Sequence, residues 1–137
     1  MAVSAQQAAA QVGSGDGITG WLLDPEQRKE LLQQFPPKFA NVVAHHVTLQ
    51  NKASKRALLP GEMHGEIVGR IDDGRGVEAM VVSIGGTTDR PDGSIYHITW
   101  SLADGRRAKE SNDVLAAGRW QPLELPMPVR LLPARLR

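Results

Sequence analysis

The chain has 137 residues, a formal net charge of +1, 14 glycines, nine prolines and no cysteine. That length suits one domain with a real core, while the lack of cysteine excludes a disulfide framework, a thiolate nucleophile and a thiolate metal site. The near-neutral balance excludes a surface coated with positive charge, so any contact with a polyanion must be local.

No apolar run approaches the roughly 20 residues of a membrane span, and the first residues lack the basic and apolar regions of a secretory signal. A cytoplasmic location is the expectation, with no membrane partner. Frequent Gly and Pro with few helix-forming runs predict a strand-rich α+β domain. Residues 1–15, Ala/Gln-rich and then Gly13-Ser14-Gly15, read as a loose tail with at most a frayed helical turn. Residues 16–137 read as the single domain.

In chain order, Gly17 to Leu23 is the first strand. Asp24-Pro25-Glu26 supplies an acceptor at the N-cap, proline at the first helical position and acid in the first turn. A short helix then runs to Phe35, with Leu31, Leu32 and Phe35 inward, and Pro36-Pro37 stops it. The strand Val43 to Leu49 follows, completing a β-α-β unit. Asn51 to Arg56 is a polar, basic loop. His64 to Ile71 and Val77 to Ile84 are strands joined through Asp72-Asp73-Gly74-Arg75-Gly76, a strong hairpin signal. A long loop from Gly85 to Gly93 feeds the strand Ile95 to Leu102. Ser111 caps a second short helix from Asn112 to Ala117, which Gly118 ends. Leu123 to Leu132 carries Pro126 and Pro128, which predicts an edge strand.

Two of these strands carry the chemistry. On Ile95 to Leu102, Tyr96, Ile98, Trp100 and Leu102 alternate with His97, Thr99 and Ser101. His97 and Thr99 therefore share a face, roughly 7 Å apart at about 3.3 Å rise per residue. The earlier strand repeats the pattern: His46 and Thr48 share one face, and His45, Val47 and Leu49 the other. Two imidazoles flanking one phosphorus can do concerted acid–base work, because a pKa near 6.5 leaves both protonation states accessible. A threonine two residues on places a hydroxyl beside each ring, where it can donate to a non-bridging phosphate oxygen. An odd offset would send it to the opposite face.

The runs His45-His46-Val47-Thr48-Leu49 and Tyr96-His97-Ile98-Thr99 resemble the paired His-x-Thr signature of the two-histidine phosphoesterase superfamily, above all its tRNA-ligase-type branch. That superfamily includes the bacterial 2′-5′ RNA ligase-like proteins and the cyclic phosphodiesterase domains of plant and fungal tRNA ligases. The resemblance implies a compact bilobal α+β fold, with antiparallel sheets around a central cleft and two short helices. It implies metal-independent opening of 2′,3′-cyclic phosphates or cleavage of 2′-5′ linkages, with no cofactor. Carried over, His46 and His97 become the acid–base pair, and Thr48 and Thr99 the phosphate clamps. The substrate would be an RNA terminus or a small nucleotide. A binding module that holds such a terminus without chemistry, and a degrader of cyclic oligonucleotide signals, fit the same residues.

Other residues carry weaker expectations. Tyr96 can stack on a base beside the cleft. Lys52, Lys55 and Arg56 can line its rim against a polyanion backbone. Ser111 opens a helix after Arg106, Arg107 and Lys109, a place suited to a terminal phosphate. His45 faces away from His46 and reads as structural, and His64 has no partner in sequence. The histidine spacing matches no zinc pattern. Trp21 and Trp120 read as packing residues. The sequence leaves open which histidine is acid and which is base.

Overall fold

The computed structural model describes residues 3–10 and 15–136. Its elements are α1 (Ala5–Ala9), β1 (Gly17–Leu23), α2 (Pro25–Gln34), β2 (Asn41–Val42), β3 (His46–Ala53), β4 (His64–Asp72), β5 (Val77–Ser83), β6 (His97–Leu102), α3 (Glu110–Ala117) and β7 (Gln121–Arg135). The strands form one antiparallel sheet in the order β2-β6-β3-β1-β7-β4-β5, and a further pairing of β5 with β6 closes it into a six-stranded barrel. The α+β expectation is met. Two sheets around a cleft are not what these strands make: closure through β5 and β6 joins them into one wall around one core.

Period-two alternation fills that core. Trp21, Val47, Leu49, Ile67, Met80, Val82, Ile98, Trp100, Val129 and Leu131 are all at most 2% exposed and belong to one cluster. Helices plug the two ends. At one end, Leu31 of α2 and its C-cap residue Phe35 join the core, and Trp100 donates its indole N–H to the Phe35 carbonyl at 2.9 Å. At the other, Ala5 and Ala8 of α1 join it; Glu62 caps the helix by accepting from the Ala5 N–H, and its own carbonyl accepts from the Trp21 indole. Residues 3–10 are therefore docked, contrary to the loose tail expected there, because two small alanines seat against the barrel end. Residues 1, 2 and 11–14 of that segment lie outside the described residues.

Local chemistry sets the remaining elements. Asp24 accepts from the Gln27 N–H, with Pro25 at the first helical position. Gly74 and Gly76 take positive φ in the β4–β5 turn, and Asp73 accepts from the backbone N–H of Arg75 and Val77. A Cβ on Gly20 would lie 2.1 Å from the Val47 carbonyl oxygen, so only glycine lets β1 cross β3 this closely. Because β1 pairs with β3 antiparallel, the expected β-α-β unit is a pair of antiparallel neighbours bridged by α2.

The proline-bearing strand expected at a sheet edge is β7, which lies instead inside the sheet, paired with both β1 and β4. It tolerates proline because its two partners use different halves. Pro122 and Pro128 fall where β4 is the neighbour, and Pro133 where β1 is. Each proline thus keeps one side free of the ladder.

Candidate active site

The bridge Val47↔Ile98 between β3 and β6 turns both of those side chains into the core. Their sequence neighbours therefore project from the outer face. The antiparallel direction sets the two tripeptides head to tail, with Thr48 toward the His97 end, while the residue opposite Thr99 is Ala44 rather than His46. The two histidines flank that bridge, one on each strand. They are close enough that a charge on His97 lowers the proton affinity of His46. His46, Thr48, His97 and Thr99 all project from the outside of the barrel wall.

The His97 end is built tightly. His97 is 9% exposed and Thr99 7%. A carbonyl can only accept, so the 2.8 Å contact from His97 Nδ1 to the Ile95 oxygen is an N–H donation that leaves Nε2 of the neutral ring with a free lone pair. Burial is the main cause that lowers its pKa, the Arg90 guanidinium adds to this, and the Ile95 carbonyl opposes it. Alongside, α3 packs Leu115 on Ile71, Ala79 and Val81 of the outer face. Ser111 of α3, fully buried, lies 2.9 Å from the Thr99 hydroxyl, which also reaches the Ala108 carbonyl at 3.3 Å.

The His46 end is built on an irregularity. Asn41 and Val42 pair with Leu102 and Ser101, and the Ala44 N–H reaches the Thr99 carbonyl, yet Val47 pairs with Ile98. His45 and His46 are thus extra residues, a β-bulge beginning at Ala44, whose φ is +44°. Arg28 of α2 secures it: Nε donates to the Ala44 carbonyl at 2.8 Å and Nη2 to the Val43 carbonyl at 3.1 Å. The bulge overturns the orientation expected for His45. Instead of pointing into the core with Val47, its exposed ring stands edge-on to His46, with the two Nδ1 atoms 3.0 Å apart. Burial lowers the His46 pKa most, followed by the charges of His45 and His97. Thr48 is half-buried, and its hydroxyl has no intramolecular partner among the described residues.

Several expected contacts lie elsewhere. Tyr96 is 2% exposed and packs edge-on to Trp21 in the core, where burial pushes its phenol up to about 12. Strand alternation, which brings His97 outward, sends Tyr96 inward. Lys52 is six residues along β3 from His46, roughly 20 Å at the rise of a strand. Lys55 and Arg56 lie beyond it, and Lys55 borders a separate hollow of about 270 Å³ with Asp16 and Arg135. Ser111 does not cap α3: Lys109 holds that position, and Ser111 turns inward to Thr99. The first N–H groups of α3 are bonded to the carbonyls of Arg107, Ala108 and Lys109, and Arg106 pairs with Asp73 and Glu110. His64 sits exposed at the start of β4.

Sequence reasoning missed His45, Arg28 and Arg90. The doubled histidine was a visible signal for the first. Arg28 and Arg90 carry no local mark, because their roles depend on which backbone folds against them. Among the described residues no cluster of three or more His, Asp or Glu is placed to hold a metal ion. Compared with family models, curated proteins and solved structures, the chain matches none.

Proposed function

We propose that this chain is a cytoplasmic, metal-independent phosphodiesterase of the two-histidine kind, hydrolysing 2′,3′-cyclic phosphate on an RNA end or a small nucleotide. One observation carries the reading: the antiparallel bridge Val47↔Ile98 brings both His-x-Thr tripeptides onto one face. A phosphate seated between the two imidazoles meets a nitrogen on each side, with the unengaged Thr48 hydroxyl close by. The kinship in fold is proposed on that same pairing, with the two lobes merged into one closed wall.

Roles follow from the hydrogen bonds. Neutral His97, its Nδ1–H held by Ile95, offers Nε2 as the base that takes a proton from water as the water oxygen attacks phosphorus. His46 gives a proton to the ribose 3′ oxygen as its bond to phosphorus breaks, leaving a 2′-phosphomonoester. Thr48, with an unengaged hydroxyl, donates to a non-bridging oxygen, and the charge it meets there grows toward the transition state. Burial favours neutral rings in both histidines.

The test is turnover of a nucleoside 2′,3′-cyclic phosphate in excess EDTA. His46→Ala and His97→Ala are each expected to lose about 10²–10⁴-fold in kcat. Because both pKa values lie below 6.5, the bell-shaped profile of kcat/KM is expected to peak on the acid side of 6.5. Turnover that survives both substitutions would sink the reading, and tight binding with no turnover by the natural chain would replace it with a nucleotide-binding module.

A further inference from the structure

The contact between His45 and His46 has its own chemical consequence. Two imidazole Nδ1 atoms 3.0 Å apart cannot both present lone pairs, so a proton lies between them, and one ring donates while the other accepts. The rings meet nearly edge to face, at 81° with centroids 5.2 Å apart, so the contact is a hydrogen bond rather than a stack. Such a pair can hold an added proton jointly. His45 is exposed and His46 half-buried, so the positive charge costs least on His45, where water solvates it.

We infer that His45 is the positioning residue of His46, and that the two rings act as one acid whose charge rests on His45 while His46 Nε2 faces the phosphate. The chemistry rests on the phosphodiesterase reading above; the shared proton does not. In the loaded state, His45 carries protons on both nitrogens and donates Nδ1–H to Nδ1 of His46, which is then the Nε2–H tautomer. As the P–O bond breaks, the Nε2 proton goes to the departing ribose oxygen and the shared proton passes from His45 to His46. Both rings end neutral, and His45 regains a proton from solvent. The charged or titratable groups facing the pair are His97 on β6 and, through the bulge carbonyls, Arg28 on α2. From α3, the group reaching this face is the neutral Ser111.

His45→Asn tests this, because an amide fills the same hydrogen-bonding position without titrating. With a nucleoside 2′,3′-cyclic phosphate, kcat is expected to fall about 10–100-fold, with KM nearly unchanged and the alkaline limb of the pH profile moved to lower pH. With a 4-nitrophenyl phosphodiester, whose leaving group needs no proton, the loss is expected to be small. Equal losses on both substrates would overturn the acid role. Imidazole ¹⁵N shifts of the substrate-free protein read the coupling directly: His46 is expected to titrate together with His45 in the natural chain, and alone in His45→Asn. Identical His46 titration in both proteins would overturn the shared proton. A natural chain that shows the coupling but turns over neither substrate would overturn the acid role together with the phosphodiesterase reading, and leave the shared proton standing.

Discussion

His46-Val47-Thr48 and His97-Ile98-Thr99 have the same pattern and nearly opposite surroundings. The second pairs with β5 without a register break from His97 to Thr99, under α3, with His97 Nδ1 on the Ile95 carbonyl and the Thr99 hydroxyl on Ser111 and Ala108. The first sits at a bulge, half-exposed, with an unengaged threonine and a second histidine against its ring. The same three residue types therefore supply a fixed element at one end and an adjustable one at the other. A hydroxyl already bonded within the protein must break a bond to meet a phosphate, whereas a free one need not. Thr48 and Thr99 should thus do different things despite their equivalent places in the motif.

Removing each hydroxyl with an isosteric valine breaks that comparison open most widely. Thr48→Val is expected to lower kcat by about 10²-fold, the cost of losing one donor to developing charge, with stability inside the roughly ±0.5 kcal/mol of a benign surface change. Thr99→Val is expected to do the reverse in emphasis. It leaves the buried Ser111 hydroxyl without its partner, at a cost of about 1–3 kcal/mol in unfolding free energy. Denaturant unfolding and steady-state kinetics on both variants decide it. Equal kinetic losses with unchanged stability would mean that Thr99 turns to the substrate after all.

A second prediction concerns what holds the adjustable end in place. Arg28→Met keeps the aliphatic stem but removes two charge-assisted donors from the Val43 and Ala44 carbonyls. The positive φ of Ala44 loses its support, and the bulge has reason to relax into the regular ladder. Expected are a loss of about 1–3 kcal/mol in stability, a changed His46 ring environment and an unchanged His97 one, read by imidazole NMR. Equal disturbance at both rings would show that the two ends are not built independently.

How much of this could be read from residues alone follows the same division. The regular end was legible: alternation from Tyr96 to Leu102 specified the strand and its outward His97 and Thr99, as Asp24-Pro25 specified the start of α2 and Asp73-Gly74 the hairpin turn. The alternation also contradicted a substrate contact at Tyr96, since it sends that ring to the face opposite His97. The irregular end was not legible, because positive φ at an alanine leaves no mark in residue type, and strict period two points His45 inward. Closure of the barrel through β5 and β6 is likewise a long-range pairing, and short apolar strands of similar composition do not specify which of them will meet.

The smallest expected effect sharpens the comparison through proton binding. Both histidines have a folded pKa below the ordinary 6.5, chiefly through burial. Below pH 6.5 the unfolded chain therefore binds more protons than the folded one, and stability falls as pH falls from 6.5 toward the folded values. Above 6.5 neither state is protonated and the contribution vanishes. Replacing either ring with asparagine should make the acid-side decline shallower. The two replacements should differ in what they do to the surviving partner. His97 is among the causes that lower His46, so His97→Asn should raise the His46 pKa. Arg90, which lowers His97, is untouched by His46→Asn, so the His97 pKa should move less. NMR titration of the surviving ring in each variant measures both shifts. An equal response would mean that the two rings see one another as a symmetric pair, and that the bulge gives His46 no electrostatic surroundings of its own.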